Sequence, residues 1–462
     1  MKNLPILIII LLIVSCSKKV NMENELSTLL TRQHDLYNFN GNVLIAENGK
    51  VVYRNSLGYA NYYSKQKLND STIFELASIT KQFTAMGILI LIEKGRLNLS
   101  DSLRSFFPQL PYSGISIKHL LTHTSGLPDY MDIMAKKWDH SKIAYNNDMI
   151  SLLASENLPK HFHPGEKWEY SNTGYALLAS IIEKVSGKSY KEFMAESVFK
   201  PLKLHNTFVY TRRASTESLP NYAYGFVFSD SLKQYILPDS VPELDYVYYL
   251  DGLQGDGCVN STTGDLLKWT VALTKGKIVK DELRMKMISP HALADTVKKV
   301  SYGFGIMLGK DVNGDYMAHS GGWAGYSTYM IHYPDYNRTI IVLSNNMSAS
   351  TQIANSLSHI IFGQELIMPY EHTNINLDTT ALDRFTGTYK INGTNYKFIR
   401  EKTKLYRVSP GSQVEFLPES ETKIFLKDKF DLQYEFIKEP DGGTKYYRIV
   451  YGVKEEMVKV DG

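Results

Sequence analysis

The apolar and polar positions of this chain change period several times, and the changes mark out its elements. An unbroken apolar run, Leu4 to Val14, follows Lys2 and is too short to cross a bilayer as a helix. A polar stretch from Ser17 leads into a helix-like segment ending near Tyr37. Gly41 to Tyr53 alternates apolar residues around Glu47-Asn48-Gly49-Lys50, and Asn-Gly between apolar runs predicts a strand hairpin. After the strand-like Thr72 to Leu76, a helical period carries Phe83, Met86, Ile90 and Leu91 from Ser78 to a stop at Gly95. A hairpin followed by such a helix predicts a sheet with the helix packed on it.

Ser116 is placed to cap a short helix holding His119-Leu120-Leu121, which breaks at Thr122 to Pro128. Residues 129 to 160 read as helical and polar. Tyr175, Leu178, Ala179 and Ile182 line one face of a helix closing near Gly187, and another helix runs from Tyr190 to Pro201. Asp251 to Gly257 is dense in glycine, which predicts close backbone approach, and Ser261 is expected to cap a helix from Asp265 to Leu273. Tyr302-Gly303-Phe304-Gly305 is expected to open a strand. Tyr326 to Tyr333 and Thr339 to Leu343 form two more, and a helix covers Ser350 to Phe362. From Leu382 the pattern turns to short alternating segments such as Tyr396-Lys397-Phe398 and Tyr434-Glu435-Phe436. This predicts a separate β domain over 381–462 behind a linker at 364–380.

At 462 residues there is room for two or three domains and a large core. Hydrophobic content of 43% with 21% charge is that of a soluble globular protein. The net charge of +3, partly from Lys2, Lys18 and Lys19, gives no reason to invoke nucleic acid. The N-terminal run has the length of a signal core and ends Ile13-Val14-Ser15-Cys16, which resembles a bacterial lipoprotein signal. Residues 1–16 are therefore expected to be a signal peptide with Cys16 lipidated, and 17–24 a tether. The protein is then exported and lipid-anchored to a bacterial cell membrane, on the periplasmic side or at the outer membrane. An ordinary signal with an incidental cysteine is the alternative. Only Cys258 is left, so no intramolecular disulfide forms.

Three short elements carry candidate chemistry. Ser78 and Lys81 offer a hydroxyl and, one helical turn on, an amine to activate it. Ser-x-x-Lys also occurs at Ser15, Ser64, Ser197 and Ser420, but these lie in the signal, a polar turn, a helix C-terminus and the β tail. Only Ser78 has a preceding strand and a helix start, whose free N–H groups suit an oxyanion. Tyr170 and Asn172 add a phenol and an amide on a turn. His319-Ser320-Gly321 adds small polar groups at a strand edge, with a backbone N–H just after Gly321 as a second oxyanion donor. His123 is read as a loop histidine that hydrogen-bonds backbone. His161 and His163, two residues apart in a turn, make a poor metal site, and no metal or other cofactor is expected.

Four ordered motifs carry a family resemblance: Ser78-Ile79-Thr80-Lys81, Leu120 to Leu127, Pro164 to Tyr175, and His319-Ser320-Gly321-Gly322. They resemble the class C β-lactamase-related serine hydrolases, the penicillin-recognising enzymes that include D,D-peptidases, D-aminopeptidases and esterases. The resemblance covers about residues 25 to 362. It implies an α/β (α+β) fold, a β-lactamase/transpeptidase-like antiparallel sheet flanked by helices with a helical region beside it, over a hydrolase domain 25–363. The tail is similar to the small all-β domain appended to exported members. The resemblance further implies an acyl-enzyme mechanism with Ser78 as nucleophile, Lys81 as its activating partner and Tyr170 as general base, with either Lys81 or Tyr170 carrying the proton. Asn172 would bind the substrate amide, and His319, Ser320, Gly321 and Gly322 would line the strand where the acyl group docks. His319 stands where class C β-lactamases carry lysine. A histidine, largely neutral at pH 7, suits the carboxylate of a penicillin or a D-Ala terminus less, which favours esters or amides. The expected substrate is a small molecule or peptide, peptidoglycan-derived or a β-lactam, acted on by a monomer. The alternatives are a β-lactamase and a non-catalytic envelope scaffold.

Overall fold

Asn48 and Gly49 both take positive φ, +55° and +74°, the geometry of a two-residue hairpin turn. They join the strands Gly41–Glu47 and Lys50–Leu57, as the alternation predicts. In the computed structural model the described residues are 4–276, 278–428 and 430–460, with side chains described from Asn21 onward. They fall into two units, Asn40–Thr351 and a second comprising Met1–Phe39 with Gln352–Gly462.

In the first unit the hairpin joins one side of an eight-stranded antiparallel sheet. From the far edge, its order is Ala292–Asp295, Val300–Tyr302, Met307–Asp311, Gly314–Trp323, Tyr326–Tyr333, Arg338–Ser344, Gly41–Glu47 and Lys50–Leu57. The first strand of the chain thus pairs with the last of the sheet, from Gly41↔Ser344 to Glu47↔Arg338. Both are buried on both faces, which is why their apolar runs are nearly continuous. The helix Thr80–Glu93 is buried at every position from Thr80 to Leu91, so its apolar residues surround the axis rather than form one stripe. It packs with the helix Asn172–Ser186, buried from Thr173 to Ile182. Phe83 lies 4.3 Å from Trp269 and 5.8 Å from Phe199, ring to ring. Full burial of one such side chain contributes about 1.5–3 kcal/mol.

The structure alters three expectations. A 3₁₀ turn, Ala77–Ile79, precedes the α-helix, so Ser78 sits one residue pair ahead of the first regular turn. Thr262, not Ser261, caps the helix Thr263–Lys275 and accepts the Asp265 N–H. Ser261 ends a strand, and its hydroxyl meets Thr207 Oγ1 at 2.8 Å. Tyr302 closes a strand rather than opening one. The Phe304 N–H donates to the Met287 carbonyl, and the chain turns before Met307–Asp311.

In the second unit eight strands from Gly387–Ile391 to Val453–Val460 close a barrel, the last pairing back on the first. Closure leaves no open sheet edge, and the interior is filled by Tyr389, Phe398, Phe416, Tyr434 and Phe436. The stretch 364–380 is bonded along the barrel, through Ile367 N–H to Gly452 O and Ile375 N–H to Pro418 O. The expected signal peptide and Cys16 lie outside the residues whose side chains are described. Among the described residues no helix is long and apolar enough to cross a membrane.

Candidate active site

Ser78 is presented by a sharply turned backbone. Phe74–Glu75 pairs with Val259–Ser261, and the Leu76 N–H donates to the Val259 carbonyl. Ala77 then takes φ +49°, a conformation that costs a residue with a Cβ about 1–2 kcal/mol. The turn leaves Ser78 partly exposed while Ile79, Thr80 and Lys81 point into the core. The Leu76 carbonyl accepts Thr328 Oγ1–H at 2.8 Å. A Cβ on Gly321 would lie 2.1 Å from that same carbonyl, so the strand Gly314–Trp323 comes this close to the Ser78 turn only without a side chain there.

Lys81 is fully buried, and its three ammonium protons have three acceptors. They are Ser78 Oγ at 3.1 Å, Asn172 Oδ1 at 3.0 Å and the Asp256 carbonyl at 2.9 Å. The ammonium also stands 4.8 Å from the centroid of the Tyr170 ring, within cation–π range. The glycine-dense segment reaches Lys81 by close approach. Gly255, at φ +110°, would clash with Ala179 and the Tyr175 carbonyl if it carried a Cβ. Thr84 Oγ1 bonds the Gly255 carbonyl, and the Val259 N–H bonds Thr80 Oγ1.

Asn172 lines the cleft with its amide already engaged. Its Oδ1 faces Lys81 while Nδ2 and the backbone N–H both donate to Asp129 Oδ2 at 3.1 Å. The other oxygen of Asp129 accepts the Met131 N–H and caps the helix Tyr130–Lys137. Asp129 thereby fixes which way the amide points. Among the described residues the Tyr170 hydroxyl makes no protein hydrogen bond.

Around Ser78 lies a cleft of about 240 Å³, walled by Tyr130, Tyr170, Asn172, Leu253, Gly322 and Trp323 among others. Glu75 lines it as well. Burial and the nearby Asp251 push its carboxyl up to about 8, against the pull of Arg213 and Arg212. Asp256 is raised by burial, opposed by Lys81, and its carboxyl accepts the Tyr130 hydroxyl at 2.8 Å. Burial pushes the Cys258 thiol up to about 12.

The structure thus lines one cleft with Ser78, Tyr170, Asn172 and Gly322, and Lys81 is buried behind it, bonded to Ser78 and Asn172. Ser320 is exposed on its strand, and Gly321 is buried against the Ser78 turn. His319 turns into the core, where Nδ1 meets the Ser320 carbonyl at 2.7 Å and Nε2 the Tyr302 hydroxyl at 3.1 Å. Burial, aided by Lys81 and opposed by the bond to Ser320, lowers it to about 4, so it is neutral at pH 7. Sequence reasoning passed over Asp129, Tyr130 and Asp256. Asp129 before a helix is legible as a cap, but nothing local shows its second partner, Asn172, to be a site residue.

Known proteins match this chain over most of its length. The Beta-lactamase family model matches residues 37–358. Penicillin-binding protein 4* of Bacillus subtilis (strain 168) is 40% identical over 450 residues, 96% of this chain and 99% of its own length. A D-aminopeptidase of Gluconobacter oxydans (strain 621H) is 25% identical over 349 residues, 76% of this chain and 62% of its own. Among solved structures, the octameric penicillin-binding protein homologue from Pyrococcus abyssi shares the fold across 94% of this chain and 99% of that one. Its TM-score is 0.68 at 23% identity. The chain belongs to the beta-lactamase family and is a serine hydrolase of that family.

Proposed function

We propose that the chain hydrolyses an amide or ester through an acyl-enzyme on Ser78, as a peptidase or esterase. The observation that carries this reading is the 3.1 Å contact of Lys81 Nζ with Ser78 Oγ, with the Tyr170 ring over the same ammonium at the edge of an open cleft. After the Lys81–Tyr170 pair has given one proton to solvent, Ser78 Oγ attacks the substrate carbonyl and passes its own proton to that pair. The Ser78 and Gly322 N–H groups hold the oxyanion. Tyr170, at the cleft wall, returns the proton to the leaving amine or alcohol. Water then cleaves the acyl ester by the reverse route, and Ser78 is regenerated.

The neutral, inward-turned His319 supplies no cation for a carboxylate, which supports amides or esters over penicillins as substrates. The names of the relatives, a penicillin-binding protein and a D-aminopeptidase, support a peptide-like acyl donor. The reading includes a hydrolase domain over 25–363, export behind the N-terminal signal, a lipid anchor at Cys16 in the cell envelope, and a monomeric state. Light scattering would test that state against the octamer of the archaeal homologue. The central test incubates wild type and Ser78→Ala with a fluorophosphonate, a fluorescent penicillin, nitrocefin, D-Ala-D-Ala peptides and p-nitrophenyl esters. Ser78-dependent labelling with ester or peptide turnover is expected. Turnover of nitrocefin above all others would make the protein a β-lactamase, and no Ser78-dependent reaction with any of them would leave a scaffold.

A further inference from the structure

His123 is fully buried at φ +57°, in a part of backbone space where histidine is uncommon, and the proposed chemistry gives it no role. Its contacts converge on one neighbour. The Glu169 N–H donates to the His123 carbonyl at 3.0 Å, and the Ser171 N–H donates to His123 Nδ1 at 3.1 Å, so the two bonds bracket Tyr170 in the chain. The ring lies 4.4 Å from the Tyr170 ring, tilted by 33°, and packs also on Tyr175 and Tyr302 at 5.1 and 4.6 Å. With Nδ1 accepting, the proton sits on Nε2, which has no hydrogen-bond acceptor and is enclosed by aromatic rings. A charged ring is disfavoured there by burial and by Lys81, so the stack is kept neutral. A group that only closed the loop would need an acceptor at its carbonyl and at Nδ1, and not the aromatic face of the ring.

We propose that His123 is a positioning residue for Tyr170: its carbonyl and Nδ1 fix the turn on either side, and its ring sets the plane of the phenol over Lys81. The assignment rests on Tyr170 being the general base. His123→Asn isolates the ring, because asparagine tolerates positive φ and offers Oδ1 where Nδ1 stood. On a p-nitrophenyl ester, kcat of His123→Asn falls about tenfold or more, with KM within twofold, after normalising to sites titrated by fluorophosphonate. In a Tyr170→Phe background the same change alters kcat less than twofold. An equal loss in both backgrounds overturns the proposal, because His123 then acts independently of the phenol. A loss that disappears on normalising to titrated sites overturns it too, since the residue is then a folding element only. Wild-type turnover by Tyr170→Phe alone would remove the general-base reading itself.

Discussion

Two lysines drawn in from solvent, Lys81 and Lys423, sit in polar clusters of opposite construction. Lys81 gives its three protons to neutral oxygens, and no carboxylate pairs with it among the described residues. Lys423, in the barrel unit, donates to the Tyr370 hydroxyl at 2.9 Å and stands 3.9 Å from Glu419, which also binds His372. The consequences for neighbouring histidines are opposite. Burial and Lys81 depress His123, and burial with Lys81 depresses His319. Burial would depress His372 as well, but the carboxylates Asp431 and Glu419 outweigh it and raise it. A cluster that neutralises its charge internally holds a structure together. One that leaves its cation against a partly exposed hydroxyl keeps that charge available to a reaction.

Replacing each lysine tests that contrast most directly. Lys81→Met should lower kcat/KM for a p-nitrophenyl ester by about 10³-fold or more, because it removes the partner that activates the hydroxyl. Lys423→Met should leave kcat/KM within twofold. Comparable losses in the two variants would erase the distinction.

Asp129 marks a smaller effect and the limit of what the sequence reveals. Asp129→Ala frees Asn172 Nδ2 and lets its amide rotate, so Lys81 loses a fixed acceptor. A fall in kcat of about 10–100-fold is expected. Steady-state kinetics beside a circular dichroism spectrum would separate this from the loss of the helix cap, and an unchanged kcat in a folded variant would count against it.

Where partners are near in sequence, the pattern sufficed: the Asn48-Gly49 hairpin, the one-turn spacing of Ser78 and Lys81, and the alternating strands of the barrel. Where partners are far apart, it did not. The role of Asp129 depends on a residue 43 positions on, and the orientation of His319 depends on a tyrosine 17 positions back. From sequence His319 reads as a strand residue lining the site, but tertiary packing shows its imidazole facing Tyr302 instead. The stretch 364–380 reads as a linker in sequence because its anchors, Glu419 and Gly452, lie far along the chain in the barrel that follows it.

His372 gives the smallest predicted effect and the clearest sign. Its Nδ1 stands 2.9 Å from Glu419 and its Nε2 4.0 Å from Asp431, with the Tyr370 hydroxyl and Lys423 completing the cluster. A histidine whose folded value is raised above 6.5 adds stability that is fully present below 6.5 and is lost as pH climbs through the raised value. His372→Gln keeps a polar side chain but cannot take the charge. It should cost about 1.5–3 kcal/mol near pH 6 in urea unfolding of the full chain. The gap from wild type should narrow between pH 6 and pH 9, with ester turnover unchanged throughout. A gap that stays constant or widens towards pH 9 would mean that His372 acts by packing on Phe425, 4.7 Å away, rather than by charge. The barrel cluster would then no longer be the electrostatic counterpart of Lys81.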